Sequence, residues 1–292
     1  MTSLNLYLSS SPEIFIALTF ILGLILGSFL NVVILRLPVM LERRWRAQAH
    51  ELLQPEAAVA APEKRFDLVQ PGSHCPHCGH QIRAWENIPV LGFLSLRGKC
   101  SACGKPISWR YPLIELTTGV LSALVAWHFG YGLAAGAGLL FTWALLALAV
   151  IDFDTQLLPD DITLPLLWGG LIVNLPGLYM SLSSAVIGAV AGYVFLWLVY
   201  HAFRLLTGKE GMGFGDFKLF AALGAWLGWQ QLPLILFASS LLGAIIGISF
   251  IVFFGRDRRL PIPFGPFLCA AGWVAFMWGD AITRYYLQLA RF

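Results

Sequence analysis

The sequence predicts an all-α polytopic membrane protein with about eight transmembrane helices and a zinc-ribbon-like cytoplasmic domain between helices 1 and 2. Three observations carry this. Of the 292 residues, 58% are hydrophobic and 12% charged, whereas soluble domains carry about 25% charged residues. Apolar stretches near the ~20 residues needed to cross a bilayer recur along the chain. Between the first two of them lies a long polar segment holding two Cys-x-x-C pairs.

Candidate spans lie at about 13–36, 112–130, 132–151, 163–180, 183–204, 217–229, 232–254 and 263–287. The fourth holds Pro165 and Pro176 and the sixth is short, so their ends are the least defined. No Lys or Arg precedes the first span, and it is longer than the apolar region of a signal peptide. It therefore reads as a retained helix.

Cytoplasmic loops collect Lys and Arg. Arg36 and residues 38–110 together hold eleven of the nineteen, which places that segment inside and the N-terminus outside. Counting onward puts 152–162, 205–216 and 255–262 inside, the last with Arg256, Arg258 and Arg259. The C-terminus then faces outside, against the mild dissent of Arg284 and Arg291. The net charge of +3 follows from this asymmetry and gives no reason to expect a nucleic-acid partner. Three parts are expected: a first transmembrane helix at 1–37, a cytoplasmic domain at 38–111 and a seven-helix membrane domain at 112–292.

The cytoplasmic segment contains HCPHCGH (74–80) and GKCSACGK (98–105). Cys75, Cys78, Cys100 and Cys103 are spaced C-x2-C-x21-C-x2-C. Each Cys-x-x-C turn presents two thiolates, and two turns complete the tetrahedron that zinc prefers. Two disulfides are the alternative, but a reducing cytosol favours metal. Gly79 and Gly104 follow the knuckles, where a tight turn calls for glycine. His74, His77 and His80 lie close enough to replace a ligand but read as surface residues, and Cys269 reads as a small apolar residue inside the last span. Between the knuckles the chain reads as loop and short strands. Residues 42–53 read either as a helix on the membrane surface or as a solvated extension of the first span, and the Pro/Ala-rich stretch at 54–64 reads as linker.

Asp152 and Asp154 close the third span, Asp160 and Asp161 open the fourth as its caps, and Asp216 opens the sixth behind GMGFG. Asp152 and Asp216 thus reach the same, cytoplasmic, interface from distant parts of the chain. Carboxylates near hydrocarbon are costly and mark functional sites. Two that share a site hold one proton between them, so one activates water while the other protonates the substrate. Gly213 and Gly215 let the backbone turn sharply or lie against an extended substrate. The plainer reading makes Asp216 a helix cap.

These stretches resemble the type IV prepilin peptidases, a family of membrane aspartic proteases carrying G-x-G-D. GSFLNVVILRLP (27–38) resembles the family's opening stretch, and residues 75–115, from CPHCGHQIRAWENIP to RYPLIE, its cytoplasmic domain. DFDTQLLPD (152–160) and GFGD (213–216) resemble its two catalytic motifs. The resemblance implies catalytic roles for Asp152 and Asp216, with Asp154 the alternative to the first. It implies cleavage of a short basic leader from prepilins or pseudopilins at the inner membrane. It also implies N-methylation of the new N-terminus with S-adenosylmethionine, in pilus or type II secretion systems. One structural zinc on the four cysteines agrees with it. Glu86, Asn87, Gly98 and Lys99 are the candidates for methyl-donor contacts. The competing readings are a peptidase without methyl transfer, a proton or cation transporter, and a scaffold of a secretion machine. Against a transporter, the acids gather at one interface and no internal repeat is evident.

Overall fold

A computed structural model describes residues 3–53, 65–254 and 262–289. The linker at 54–64, the basic loop at 255–261 and Arg291 lie outside the described residues. No strand forms among the described residues. Where short strands were expected between the knuckles, the chain makes turns, a five-residue helix α3 (Leu91–Ser95) and two isolated bridges, His74 with Gln81 and Lys99 with Pro106. The run is too short and too rich in Gly, Pro and Asn to sustain a ladder.

Among the described residues, six helices are long and apolar enough to cross a membrane. They are α2 (Pro12–Leu53), α4 (Arg110–Phe129), α5 (Leu133–Thr155), α7 (Leu182–Thr207), α9 (Leu232–Phe254) and α10 (Gly265–Leu289), following a short N-terminal α1 (Ser3–Ser10). This is a multi-pass membrane protein. The segments read as spans four and six form α6 (Asp160–Val173) and α8 (Phe214–Leu227), each of 14 residues. At 1.5 Å per residue such a helix reaches about 21 Å, short of a hydrocarbon core of about 30 Å. Asn174, ahead of Pro176, ends α6. Gly228, at φ 75°, ends α8.

The chain divides into two compact units, residues 1–131 and 132–292. In the first, α2 runs unbroken to Leu53, so residues 42–53 extend the first span. α2 and α4 cross on small residues: a methyl group on Gly27 would lie 2.7 Å from the Glu115 Cα, and one on Gly23 would lie 2.8 Å from the Gly119 Cα. Such contacts let backbones approach where lipid offers no hydrophobic driving force. The Asn31 amide closes the crossing, donating to Gly27 O and Tyr111 O, both at 3.2 Å.

In the second unit α8 is buried along most of its length, packed against α6, α7 and α10. Gly188 and Gly192 of α7 meet it backbone to backbone, since a methyl on Gly192 would lie 2.8 Å from the Phe220 carbonyl. Asn174 is fully buried and satisfied on all sides. Its amide donates to Ala225 O and Trp226 O, and its carbonyl accepts from the Tyr179 and Met180 amides. Trp226 donates to Leu166 O at 2.7 Å and stacks in a cluster with Phe141, Phe276 and Tyr179. This polar and aromatic core fixes the far ends of α6 and α8, and so fixes where their opposite ends fall.

Candidate active site and metal centre

Those opposite ends carry the acids. Asp152 lies on the last turn of α5, which Gln156 closes in the left-handed conformation with its N–H on the Asp152 carbonyl. A helix C-terminus is an unfavourable place for an anion. The compensation comes from α10, whose first residue, Gly265, donates its N–H to Asp152 Oδ2 at 3.0 Å. A helix N-terminus is the favourable end for negative charge.

Asp216 lies in the first turn of α8. Gly213 holds the N-cap position there, so Asp216 does not cap its helix in the usual sense. Its carboxylate does lean on the Gly213 amide. The other oxygen, Oδ1, is buried and has no hydrogen-bond partner. Asp152 and Asp216 are 5% and 8% exposed; Asp216 feels the Asp152 charge, and the buried Cys269 thiol feels both. Leu158 lies between their helices, touching the sites where Gly215 and Gly265 have no side chain. Two desolvated carboxylates, each bonded by an amide at a helix start and one keeping an unpartnered oxygen, are an arrangement suited to sharing a proton.

Asp154, the alternative to Asp152, is exposed at the end of α5. Asp160 and Asp161 lie in the first turn of α6, where Pro159 takes the cap position without a side-chain bond. Asp160 is instead bound by Lys218 Nζ, 2.7 Å from both oxygens. Neither Gly213 nor Gly215 adopts a left-handed conformation. Gly215 is required by close approach, because a methyl there would lie 2.7 Å from the Leu158 Cβ. Sequence reasoning passed over Gly265 and Leu158. A signal was present for the first: PFGPF (263–267) places Gly before Pro at a helix start.

In the first unit the two knuckles are near copies. Cys75 N–H donates to His80 O and Gly79 N–H to Cys75 O. Cys100 N–H donates to Lys105 O and Gly104 N–H to Cys100 O, and all four distances are 2.9 Å. Gly79 and Gly104 adopt φ 71° and 69°, which favours glycine. The four Sγ atoms lie within 4.8 Å of one another. Cys75 and Cys103 are 3.9 Å apart and Cys78 and Cys100 4.0 Å. Disulfide sulfurs lie about 2.05 Å apart, whereas zinc–sulfur bonds of 2.3 Å in a tetrahedron separate sulfurs by about 3.8 Å. The cluster fits one zinc ion. Backbone amides of His77 and Cys78 hold the Cys75 thiol down at about 7, toward the thiolate that binds metal. His80 is engaged elsewhere, 3.3 Å from both Glu86 and Ser101.

Above the knuckles, a cavity of about 400 Å³ lies between α2, the start of α4 and the loops, all within the first unit. Glu86 and Asn87 line it, while Gly98 and Lys99 do not. Glu86 accepts the Arg83 N–H at 2.8 Å. The Ser101 hydroxyl, then that amide and His80, hold its carboxyl below the usual range.

Fold and sites define a class: a multi-pass membrane protein with a buried carboxylate pair in one unit and a four-thiolate knuckle in the other. Comparison with known proteins narrows it. The Bacterial Peptidase A24 N-terminal domain matches residues 21–129 and the Type IV leader peptidase family residues 139–248. The chain is similar to a prepilin leader peptidase/N-methyltransferase of Stutzerimonas stutzeri, 58% identical over 98% of both chains. It is similar to one of Aeromonas hydrophila, 56% identical over 94% of this chain and 95% of the relative. One of Neisseria gonorrhoeae is 52% identical over 92% of both. No solved structure matches. This chain belongs to the type IV leader peptidase family.

Proposed function

We propose that this chain is an aspartic endopeptidase and N-methyltransferase. It removes the basic leader from prepilins or pseudopilins at the cytoplasmic face of the bacterial inner membrane. It then methylates the exposed N-terminal amine with S-adenosylmethionine. The observation that carries the peptidase reading is the buried pair, Asp152 bonded by the Gly265 amide and Asp216 with Oδ1 free. Family membership and the relatives' names support both activities.

In this reading Asp152 is the ionised member, bonded by the Gly265 N–H at the start of α10, because Asp216 keeps a free oxygen that can carry the proton. Asp216 holds the proton. Water attacks the scissile carbonyl carbon and gives a proton to Asp152, while Asp216 gives its proton to the carbonyl oxygen. The tetrahedral diol collapses as Asp152 returns its proton to the leaving amine and Asp216 takes one back from the diol hydroxyl. The C–N bond breaks, and the pair regains its starting state. No metal is involved in these steps. Zinc on Cys75, Cys78, Cys100 and Cys103 would cross-link a domain that has no strand ladder of its own among the described residues. The methyl donor supplies an electrophilic methyl group to the new amine.

The Lys/Arg distribution supports a cytoplasmic domain at 38–111 and a seven-helix peptidase domain at 112–292, with both termini in the periplasm. A prepilin with a basic leader and an apolar helix brings its cut point to that interface. Purified protein incubated with processed pilin and labelled S-adenosylmethionine tests the second activity. Label on the pilin N-terminus is the expected result, and its absence reduces the protein to a peptidase.

A further inference from the structure

We propose that the cavity of the first unit is the pocket for the methyl donor, a nucleoside carrying a sulfonium, and that Glu115 recognises the cationic sulfur. This rests on the N-methyltransferase reading above. The cavity, about 400 Å³, falls in the range of pockets for ligands of this size, about 300–1,000 Å³.

Glu115 lines the cavity from the start of α4 and is 8% exposed. Its Oε2 accepts the Val90 N–H at 2.8 Å, and the Ser28 hydroxyl is a second partner. No cation pairs with it among the described residues. A buried carboxylate without a counter-charge is costly, and a carboxylate has about four acceptor sites, so Glu115 retains capacity for a ligand. A sulfonium is a permanent cation that donates no hydrogen bond. It is best held by an opposite charge in a largely apolar pocket, and Val32, Ile82, Ile88 and Phe93 supply such walls. Arg36 and Lys105 also line the cavity and match the carboxylate of the donor's amino-acid tail.

The loop over the cavity supports the same assignment. Val90 adopts φ 61°, a strained conformation for a β-branched residue, and its N–H is the one Glu115 holds. A methyl group on Gly92 would collide with the Glu86 carbonyl. The 86–92 turn, which contributes Glu86, Asn87 and Ile88 to the walls, thus carries a strained residue, Val90, that Glu115 holds in place. Such strain collects at ligand clamps.

The test is isothermal titration of the full-length, zinc-loaded protein in detergent micelles with two probes. S-adenosylmethionine carries the cationic sulfur and S-adenosylhomocysteine the neutral one. The wild type is expected to favour the cation by about tenfold or more. Glu115→Gln is expected to bring that ratio near one, and Val32→Trp to weaken both ligands by filling the pocket. Zinc content and melting temperature confirm that each variant is folded. A wild type that binds both probes equally overturns the role of Glu115, and this holds even if Glu115→Gln does not fold. A preference that survives in Glu115→Gln, or unchanged binding in Val32→Trp, overturns the assignment as well. Methyl transfer by the wild type with an unchanged donor KM in Val32→Trp removes the pocket and leaves the methyltransferase reading standing. A wild type that binds neither probe and makes no methylated product removes both.

Discussion

The Gly265 amide and the Asp152 carboxylate are 3.0 Å apart, joining the first residue of α10 to the last turn of α5. One contact therefore sets both the position of Asp152 and its electrostatic surroundings. The negative end of α5 alone would be a poor place for an anion, and the positive end of α10 reverses that. A methyl group on Gly265 would stand 2.6 Å from Oδ2, so no other L-residue fits without moving the acid.

Gly265→Ala should therefore lower the kcat of leader cleavage by about 10²-fold, the effect of a small displacement of a reacting group. KM should change little, because the displaced group acts on the scissile bond. Steady-state kinetics with a prepilin substrate check this, and a loss confined to KM would contradict it.

Gly215 makes a comparable demand on Leu158. Gly215→Ala places a methyl 2.7 Å from the Leu158 Cβ and should cost about 1–3 kcal/mol through overpacking, along with activity. Leu158→Ala should relieve only part of it, since alanine keeps that Cβ and removes only the Cδ1 and Cγ atoms at 3.3 and 3.5 Å. A double-mutant cycle on melting temperature and cleavage rate measures the coupling. Simple additivity would show that the two residues do not share the contact.

Cys75→Ser or Cys103→Ser should abolish stoichiometric zinc and destabilise the first unit, because structural metal sites contribute folding free energy directly. Metal analysis of purified protein should find one zinc per chain. Finding none would remove the metal from this interpretation, though the sulfur separations would still exclude disulfides.

Asn174→Ala should destabilise the second unit by about 3 kcal/mol or more. It orphans two buried carbonyls and two amides at once, each worth about 1–3 kcal/mol when left unsatisfied. Asp160→Ala should cost less than about 1 kcal/mol, because the Asp160–Lys218 pair is half exposed on the Asp160 side. Thermal unfolding of the two variants side by side should give that order.

Much of this was legible in the sequence because its signals are local. The Cys-x-x-C-Gly knuckles carry their own turn chemistry, and the four thiols meet as the spacing implies. The acids at Asp152 and Asp216 stand out because carboxylates are rare beside apolar runs. What the sequence did not disclose depends on contacts between distant segments. α6 and α8 are apolar enough to read as spans, yet they are short helices, and α8 is apolar because protein buries it on nearly all sides. Gly265 lies 113 residues from Asp152, and nothing local pairs them. Glu115 and the Val90 amide that it accepts are 25 residues apart, so no local pattern marks that carboxylate.

The central claim is that Asp216 is half of a catalytic pair and not merely a helix-end residue. The most direct measurement is the intact mass of a prepilin after incubation with purified protein and S-adenosylmethionine, for wild type and Asp216→Asn. Wild type should yield a product lacking the leader and carrying one added methyl group. Asp216→Asn, equally folded and zinc-loaded, should leave the leader in place, with cleavage reduced by at least about 10²–10⁴-fold. Leader removal by Asp216→Asn at the wild-type rate would contradict the claim and leave Asp216 as a carboxylate that only completes the first turn of α8.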